Sequence, residues 1–299
     1  MEFLLACSLS IFMTFVFRHI GIKFGFLDKP AGKLKPHETA IPYTGGTAIL
    51  LSLIPWLIHE PGYMVVVVSL WAIGFIDDVK GLNPSLRLMI ELLAGFLFSL
   101  YYLNNSFFES LFLAFLFAAV VNAFNMIDGM DGVCSGVVVV SALVLVIVFQ
   151  LHPLLLAFAG TFFGFFVWNF PPAKIFLGDQ GSYIAGAFMG MMLLNSYGTE
   201  SFIPVLAVVW LPLLDLSAGF LRRIIAGKSP FEGDRDHFYD KLFSLTKENK
   251  KATTILSIMM AFLWSVLGLL PNAIMSVSLL CLLSVVLVFK LKLLKQQSI

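Results

Sequence analysis

Polar side chains that could carry out chemistry are concentrated in one segment of this chain, residues 122–132. Its carboxamides and carboxylates are Asn122, Asn125, Asp128 and Asp131. The apolar runs on either side of the segment carry no charge, and such groups are costly to keep in apolar surroundings. We therefore predict that this segment forms part of a functional site.

Four other clusters combine acidic residues with glycines or with basic residues. They are Asp77-Asp78-Val79-Lys80-Gly81, Phe176 to Ser182 with Asp179, Asp215 followed by Arg222-Arg223, and Asp234 to Lys241 with Arg235 and His237. Adjacent carboxylates such as Asp77 and Asp78 repel each other at neutral pH unless a cation or a shifted pKa relieves them. Together with Asp128, Asp131 and Asp179 they suit Mg²⁺ or Mn²⁺, which proteins bind through one or two carboxylates beside substrate phosphates.

Carboxylates alone would repel a phosphate, so the predicted site also needs basic partners. The candidates are Lys80, Arg235, His237 and Lys241. Glycines stand beside most of the acids and permit tight turns and close approach of the backbone to a ligand. The residue types therefore point to metal-assisted chemistry on a phosphorylated substrate.

Each cluster taken alone also has a structural interpretation. Asp77-Asp78 with Lys80 could be a solvated helix end, and Gly178-Asp179 could be a turn. Asp215 could simply form an ion pair with Arg222 on its own helix, and His237 could be a surface residue. A shared site becomes the stronger interpretation only if the fold brings the clusters to one face.

The composition defines the elements that must position these residues. Of the 299 residues, 59% are hydrophobic and 12% are charged, whereas soluble domains carry about 25% charged residues. The formal net charge of +1 gives no basic excess for binding nucleic acid. Apolar runs of about 15–20 residues between short polar breaks predict an all-α, polytopic membrane protein in the lipid bilayer.

We predict about eleven transmembrane helices in a single domain covering residues 1–299, with the charged loop 221–252 contributing to the site. The predicted spans are about 2–18, 44–59, 62–76, 86–103, 107–121, 133–150, 153–168, 182–197, 202–220, 253–270 and 272–289. The first run is followed by Arg18 rather than by a small-residue cleavage site, so we interpret it as a retained helix and not a signal peptide.

The basic residues predict the orientation of these helices. All 19 Lys and Arg residues fall in one alternate set of connections or at its helix ends. Lys and Arg next to membrane spans stay in the cytoplasm, so the N-terminus should lie outside and the C-terminus inside. All five polar clusters then lie on the cytoplasmic side, which favours one shared site over five unrelated structural features.

At these residues the chain resembles the polyprenyl-phosphate N-acetylhexosamine-1-phosphate transferases, over most of its length. Asp77-Asp78-x-x-Gly81 resembles the first acidic motif of that family, and Phe176-Leu-Gly-Asp179-x-Gly-Ser182 resembles a later one. The segment from Asn122 to Gly132 is similar to the central motif at every position, and Pro42-x-x-Gly45-Gly46 resembles a further family segment. Pro212-Leu-Leu-Asp215 followed by Arg222-Arg223 resembles the GlcNAc-1-phosphate branch.

One loop departs from the family pattern. The family usually has two or three clustered histidines here, whereas this chain has Arg235-Asp-His237 followed by Phe238, Tyr239 and Asp240. The difference counts against the peptidoglycan translocase, whose loop resembles a histidine triplet. Tyr239 or Lys241 could replace a missing phosphate or sugar contact.

The resemblance implies a phosphotransferase that uses a UDP-N-acetylhexosamine, most simply UDP-GlcNAc, and undecaprenyl phosphate, and that releases UMP. It implies Mg²⁺ or Mn²⁺ as cofactor, bound by Asp179, Asp128 and Asp131. Asp77 and Asp78 would act with Asp128 and Asp131 in catalysis. Substrate would be bound by Lys80, Asn122, Asn125, Arg235, His237, Asp215 and Lys241.

The implied location is the bacterial plasma membrane, where the enzyme would initiate a lipid-linked glycan for the cell wall or for lipopolysaccharide O-antigen. A homodimer is a candidate assembly. The alternative functions are a phospho-MurNAc-pentapeptide translocase and a membrane transporter, but a transporter usually places its acids in a midplane cavity on broken helices.

Overall fold

The computed structural model describes residues 1–28, 40–229 and 235–296, and nearly all of the regular structure in these ranges is α-helical. The helices are α1 (Glu2–Phe24), α2 (Gly45–Leu57), α3 (Pro61–Lys80), α4 (Pro84–Leu97), α5 (Phe107–Met126), α6 (Val133–Val148), α7 (Pro153–Asn169), α8 (Gly178–Ser196), α9 (Phe202–Val208), α10 (Trp210–Ile225), α11 (Phe238–Leu245), α12 (Lys250–Leu267) and α13 (Ala273–Lys290). A π-helical turn, Phe98–Tyr102, extends α4. Two antiparallel strands of two residues each, β1 (Leu27–Asp28) and β2 (Ile41–Pro42), form the described sheet.

Each of the eleven predicted apolar segments contains a helix, so the prediction of a polytopic, helical membrane protein is confirmed. In the described part of the chain, six helices are long and apolar enough to cross a membrane, or seven if a bent pair counts as one span. Three more apolar helices, α2, α6 and α7, are shorter. The structure therefore supports several membrane crossings, although it does not by itself fix their number at eleven.

The centre of the bundle is α8, which has 16 of its 19 residues buried. It packs against α2, α3 and α5, and glycines bring the backbones close together. A Cβ atom on Gly74 would come within 2.5 Å of the Cα atom of Gln180, and one on Gly186 would come equally close to the Cα atom of Val121. Small residues allow this close helix packing where the surrounding lipid is as apolar as the helices.

Two helices continue past the ends predicted for their spans. Helix α3 runs on to Lys80, so that Asp77 and Asp78 lie in its last turn. Helix α5 runs on to Met126, and the segment 122–132 is therefore a loop only from Ile127 onward. The prediction that this whole segment is a connection was wrong, because the helical hydrogen bonds continue through its two asparagines.

The predicted ninth span is broken rather than straight. Helices α9 and α10 meet at Val209 with a bend of 61°. The loop predicted at 221–252 also contains regular structure, since α10 extends to Ile225 and α11 lies within the loop. Helix α11 contacts α12 and lies beside the loop that follows α5.

Candidate active site

The N-terminus of α8 is held by Asp78 of α3. The Oδ1 atom of Asp78 accepts a hydrogen bond from the backbone N–H of Asp179 at 2.9 Å, and Oδ2 accepts one from the N–H of Gln180 at 3.2 Å. The side-chain amide of Gln180 donates to the same oxygen at 3.1 Å. A carboxylate at a helix N-terminus satisfies N–H groups that have no partner within the helix. Asp78 thus fixes where α8 begins.

Asp77 is bound to a cation that the sequence analysis did not select, Arg87 of α4. The Nη1 atom of Arg87 lies 2.6 Å from Oδ2 of Asp77, which also accepts a hydrogen bond from the hydroxyl of Tyr183 at 3.1 Å. The other oxygen, Oδ1, accepts from the backbone N–H of Leu82 at 2.7 Å. Both oxygens of Asp77 are therefore occupied, and the side chain is 6% exposed.

Asp179 lies next to this pair at the first turn of α8. Its Oδ1 atom accepts a hydrogen bond from the side-chain amide of Asn125 at 2.7 Å. Its Oδ2 atom lies 4.0 Å from Nη1 of Arg87, and the side chain is 34% exposed. Asn125 also donates to the Ser182 hydroxyl at 3.1 Å. One oxygen of Asp179 is thus anchored, while the other lies 4.0 Å from Arg87, and the carboxylate is next to that of Asp77, where a cation would relieve the repulsion.

Asp128 lies in the loop after α5, and its carboxylate forms no hydrogen bond or ion pair with the described residues. Burial raises its pKa well above the usual carboxyl range, and repulsion by Asp179, Asp78 and Asp131 raises it further. Without a bound metal ion, the negative charges of Asp128 and its three neighbours therefore repel one another. A divalent ion would relieve this repulsion, since an opposite charge favours the ionised carboxylate.

Asp131, by contrast, is engaged in structural contacts. Its Oδ2 atom accepts a hydrogen bond from the backbone N–H of Ala173 at 3.2 Å and lies 3.3 Å from the ammonium of Lys250. Its carbonyl oxygen accepts from the Thr254 hydroxyl at 2.8 Å. These contacts connect the loop after α5 to the α7–α8 connection and to α12. As a metal ligand, Asp131 would have to give up part of this network.

Asn122 lies one turn before Asn125 on α5 and donates its side-chain amide to Glu91 of α4. Glu91 is fully buried, and its Oε1 atom has no hydrogen-bond partner in the described structure. Glu91 lies four residues after Arg87, on the same face of α4. Asn122 therefore supports the wall of α4 beside Arg87, and in the described structure it has no direct hydrogen bond to Asp77, Asp78 or Asp179.

The sequence contained a signal for Arg87 and Glu91. They are a basic and an acidic residue at positions i and i+4 inside an apolar span, where charged side chains usually face the interior and have a function. We selected residues from glycine-rich helix ends and overlooked this pair, because it lies within the span.

His237 and Asp215 form a buried pair between the start of α11 and α10. The Nδ1 atom of His237 lies 2.7 Å from Oδ2 of Asp215, and the backbone N–H of Phe238 donates to Oδ1 at 2.8 Å. The two side chains are 7% and 1% exposed. Asp215 thus holds the N-terminus of α11 against α10, and it orients the imidazole of His237.

Replacing Asp215 with alanine should therefore weaken the packing of α11 against α10 and release the imidazole of His237. Loss of hydrogen bonds to a charged group should lower the free energy of unfolding by about 1.5–3 kcal/mol. Thermal unfolding in detergent measures the stability, and Ser217→Ala on the exposed face of α10 is the control. An unchanged melting temperature would show that the pair does not hold α11 in place.

The remaining residues predicted to bind substrate lie at different depths. The ammonium of Lys241 is buried, at 2.5 Å from Oδ1 of Asp236 and 3.0 Å from the carbonyl oxygen of Lys295. Lys80 is exposed at the end of α3, and Arg235 is half-buried. A substrate contact by Lys241 would require breaking an internal ion pair, whereas Lys80 is accessible.

Tyr239 connects α11 to the central segment. Its hydroxyl donates to the carbonyl oxygen of Met126 at 3.2 Å, and its ring stacks on His237 with the centroids 5.4 Å apart. A Cβ atom added to Gly129 would collide with the Tyr239 hydroxyl. The departure from the histidine-rich family loop therefore places a buried, packed phenol against the segment that carries Asp128.

The oxygen donors fit a hard divalent cation. Asp128, which lacks a polar partner among the described residues, and the outer oxygen of Asp179 are the available groups. In the described ranges, no three His, Cys, Asp or Glu side chains converge into a group that could hold a metal by themselves. Mg²⁺ usually takes one or two carboxylates and completes its shell with water and substrate phosphates, so two protein ligands are sufficient.

The fold and the site together define a helical, polytopic membrane protein with carboxylates and a cation at one end of its bundle. The model of Glycosyl transferase family 4 matches residues 61–197, which include α3 to α8 and most of the site. The undecaprenyl-phosphate α-N-acetylglucosaminyl 1-phosphate transferase of Thermotoga maritima is 30% identical over 266 residues, covering 87% of each chain.

Two further relatives cover similar shares of the chain. The decaprenyl-phosphate N-acetylglucosaminephosphotransferase of Mycolicibacterium smegmatis is 26% identical, over 87% of this chain and 78% of its own. An undecaprenyl-phosphate α-N-acetylglucosaminyl 1-phosphate transferase of Yersinia pestis is 28% identical, over 85% and 79%. The chain belongs to Glycosyl transferase family 4, the polyprenyl-phosphate N-acetylhexosamine-1-phosphate transferases, and is a phosphotransferase.

Proposed function

We propose that this protein transfers N-acetylhexosamine-1-phosphate, and specifically GlcNAc-1-phosphate, from a UDP-sugar to undecaprenyl phosphate. An oxygen of the lipid phosphate attacks the β-phosphorus of the UDP-sugar. The bond between that phosphorus and the bridging oxygen breaks, and UMP leaves with the bridging oxygen. The products are undecaprenyl-diphospho-GlcNAc and UMP.

The observation that carries this proposal is a difference between the carboxylates at one end of the bundle. Some have hydrogen-bond or ion-pair partners on both oxygens, and others do not. Asp77 and Asp78 have both oxygens occupied, whereas Asp128 and one oxygen of Asp179 have capacity for a cation. Arg87 lies between the two sets, within reach of an anion. A site with free carboxylates for an ion and a fixed guanidinium for phosphate suits phosphoryl transfer, which depends on positioning and charge neutralisation.

Asp128 and Asp179 would hold Mg²⁺ or Mn²⁺ in this proposal. When bound, the ion would neutralise the diphosphate and stabilise the charge on the departing UMP. Asn125 keeps Asp179 in place through a 2.7 Å hydrogen bond. Asp131 contributes by fixing the loop that carries Asp128, since it is tied to Ala173 and Lys250.

Asp77 and Asp78 would act mainly by positioning. Asp78 places the first turn of α8, and Asp77 aims Arg87 through a 2.6 Å ion pair. The alternative is that one of them accepts the proton of the lipid phosphate. A phosphate monoester has its second pKa at about 6 and is largely a dianion at pH 7, so little base is required, and the occupied oxygens of both residues favour the positioning role.

Lys80, Arg235 and His237 are the proposed contacts for the nucleotide diphosphate and the sugar. Lys80 extends from the end of α3 beside Asp77, and His237 is held by Asp215 near the central segment through Tyr239. Asn122 and Lys241 would support the site from behind, because their side chains are bonded to Glu91 and Asp236. The relatives named for N-acetylglucosamine support GlcNAc as the sugar.

The site would face the cytoplasm of a bacterial plasma membrane, with about eleven spans and the N-terminus outside. The distribution of Lys and Arg supports this orientation. UDP-sugars are cytosolic and the lipid phosphate is in the inner leaflet, so the helix ends at this face are where both substrates can meet. The product would initiate a lipid-linked glycan for a surface polymer.

Cysteine labelling tests the orientation. Cys281 is exposed and is first replaced by serine. In intact cells a membrane-impermeant maleimide should label a cysteine at Glu200, in an exposed loop, and should label one at Lys251 only after lysis. The reverse pattern would place the site outside and contradict a cytosolic UDP-sugar donor.

Nucleotide release tests the reaction itself. Purified protein with undecaprenyl phosphate, Mg²⁺ and UDP-GlcNAc should release UMP and form one equivalent of the diphospho-linked lipid. Release of UDP would indicate transfer of the sugar without its phosphate, and no release would contradict the proposal. UDP-GalNAc and UDP-MurNAc-pentapeptide, tested in parallel, distinguish GlcNAc transfer from the alternative sugars and from translocase activity.

A further inference from the structure

A small cavity lies at the end of the bundle opposite the acidic site. Glu60 precedes α3 and the carboxylates Asp77 and Asp78 lie in its last turn, so the two regions are separated by about 25 Å of helix. The cavity has a volume of about 150 Å³. Its lining includes Glu60, Tyr63, Tyr102, His152, Phe188 and Asn195. None of these residues has a part in the proposed transfer.

The polar groups of this cavity are arranged around one carboxylate. The Tyr102 hydroxyl donates to Oε2 of Glu60 at 3.1 Å, and Nε2 of His152 lies 4.0 Å from Oε1. The Glu60 side chain is 31% exposed. The carboxylate is therefore oriented by a phenol and partly shielded from water, with one oxygen left for a further partner.

Aromatic rings line the same cavity as this carboxylate. The ring of Tyr63 packs edge-to-face against Tyr102, with the centroids 5.8 Å apart, and lies 5.9 Å from the ring of Phe188. Tyr102 also stacks on Phe98 at 4.9 Å. No Lys or Arg is among the lining residues. Aromatic faces and a carboxylate both attract cations, and His152, at 4.0 Å from Glu60, is the one basic side chain among the described lining residues.

The backbone on both sides of the cavity is irregular. The π-helical turn Phe98–Tyr102 forms one wall and turns Tyr102 toward α3, where Gly62 has no Cβ atom to collide with the ring. On the other wall Gln150 and Leu151 both have positive φ angles, 51° and 64°, just before His152. Such conformations cost energy in residues other than glycine and are concentrated at ligand sites, as are π-helical turns.

The volume limits the size of the ligand. A cavity of 150 Å³ suits a molecule of about the size of benzene and is smaller than the pockets of about 300–1,000 Å³ that hold drug-sized ligands. We propose that this cavity binds the ammonium group of a small organic cation, held by Glu60 and by the surrounding aromatic rings. A free amine and the head group of an aminolipid offer the same chemistry.

Choline and its neutral isostere, 3,3-dimethylbutan-1-ol, test the proposal by calorimetry on the purified full-length protein. Choline should bind saturably, and the isostere should bind at least about tenfold more weakly, because it lacks the charge. Glu60→Gln should weaken choline binding about tenfold or more, and Tyr102→Phe should weaken it several-fold. The control, Glu200→Gln, removes an exposed carboxylate elsewhere and should change nothing.

Three results would overturn the proposal: no saturable binding of choline, equal binding of the isostere, or unchanged binding in Glu60→Gln. UMP release by each variant shows that it is folded, since these residues are remote from the transfer site. Nanodiscs distinguish the two sources of the cation. Choline binding that is weaker in phosphatidylethanolamine than in phosphatidylglycerol supports a lipid head group, and equal binding supports a free amine.

Discussion

Asp128→Asn is expected to reduce transfer about 1,000-fold or more and, at the same time, to stabilise the metal-free protein. The loss of rate follows because an ion ligand and its charge are removed. The gain in stability follows because burial and three neighbouring carboxylates raise the pKa of Asp128. A raised carboxyl pKa means that, above the usual carboxyl range, the ionised side chain destabilises the folded state. The neutral amide does not carry this cost.

The measurement is the melting temperature in EDTA and in excess Mg²⁺, together with the rate of UMP release. Wild-type protein should be stabilised by Mg²⁺, since a ligand that binds only the folded state raises stability. Asp128→Asn should start from a higher melting temperature in EDTA and respond less to Mg²⁺. The matched control is Asp131→Asn, which should lower the melting temperature because it disrupts contacts to Lys250 and Ala173. Normal turnover in Asp128→Asn would remove this residue from the site.

Arg87→Gln is expected to lower kcat/KM about 100-fold or more, because it removes the guanidinium that is proposed to bind phosphate next to Asp179. It should also lower the free energy of unfolding by about 1.5–3 kcal/mol, because Asp77 loses its charged partner at 2.6 Å. Arg87→Lys keeps the charge but not the planar fork, and its rate should lie between those of wild type and Arg87→Gln.

The double variant Asp77→Asn/Arg87→Gln separates the two effects. The neutral pair leaves no unpaired buried charge, so it should regain part of the stability without regaining the rate. Recovery of transfer in the double variant would show that Arg87 serves only to neutralise Asp77. Wild-type activity in Arg87→Gln would contradict a role in binding phosphate.

Much of the helical arrangement could be predicted from the sequence, because long apolar runs between polar breaks have few other solutions in a membrane. The predicted positions of the helix ends were less accurate. Asn122 and Asn125 suggested a connection, but α5 continues through them because their side chains reach partners on neighbouring helices. The bend at Val209 between α9 and α10 did have a signal in the sequence, because Pro212 has no N–H to donate to the carbonyl oxygen of Val208 and its ring clashes with that carbonyl.

The functions of individual acids were harder to predict than their presence. Five aspartates look alike in sequence: Asp77, Asp78, Asp128, Asp131 and Asp179. In the structure, backbone N–H groups and basic side chains bind the oxygens of some of them, while others keep an oxygen that could bind a metal ion. This difference depends on which helix packs beside each carboxylate, and the spacing of motifs does not contain that information. Arg87 and Glu91 did have a signal in their spacing inside an apolar span, but their partners on α3 and α5 appear only in the structure.

The most direct test of the central claim is the Mg²⁺ dependence of UMP release in wild type, Asp179→Asn and Glu200→Gln. Asp179 has one oxygen fixed by Asn125 and the other available, and Glu200 is an exposed carboxylate far from the site. We expect saturable Mg²⁺ activation in wild type and in Glu200→Gln, and no UMP release by Asp179→Asn at any Mg²⁺ concentration. Activation of Asp179→Asn with the wild-type Mg²⁺ dependence would contradict a metal-assisted phosphotransferase site at the start of α8.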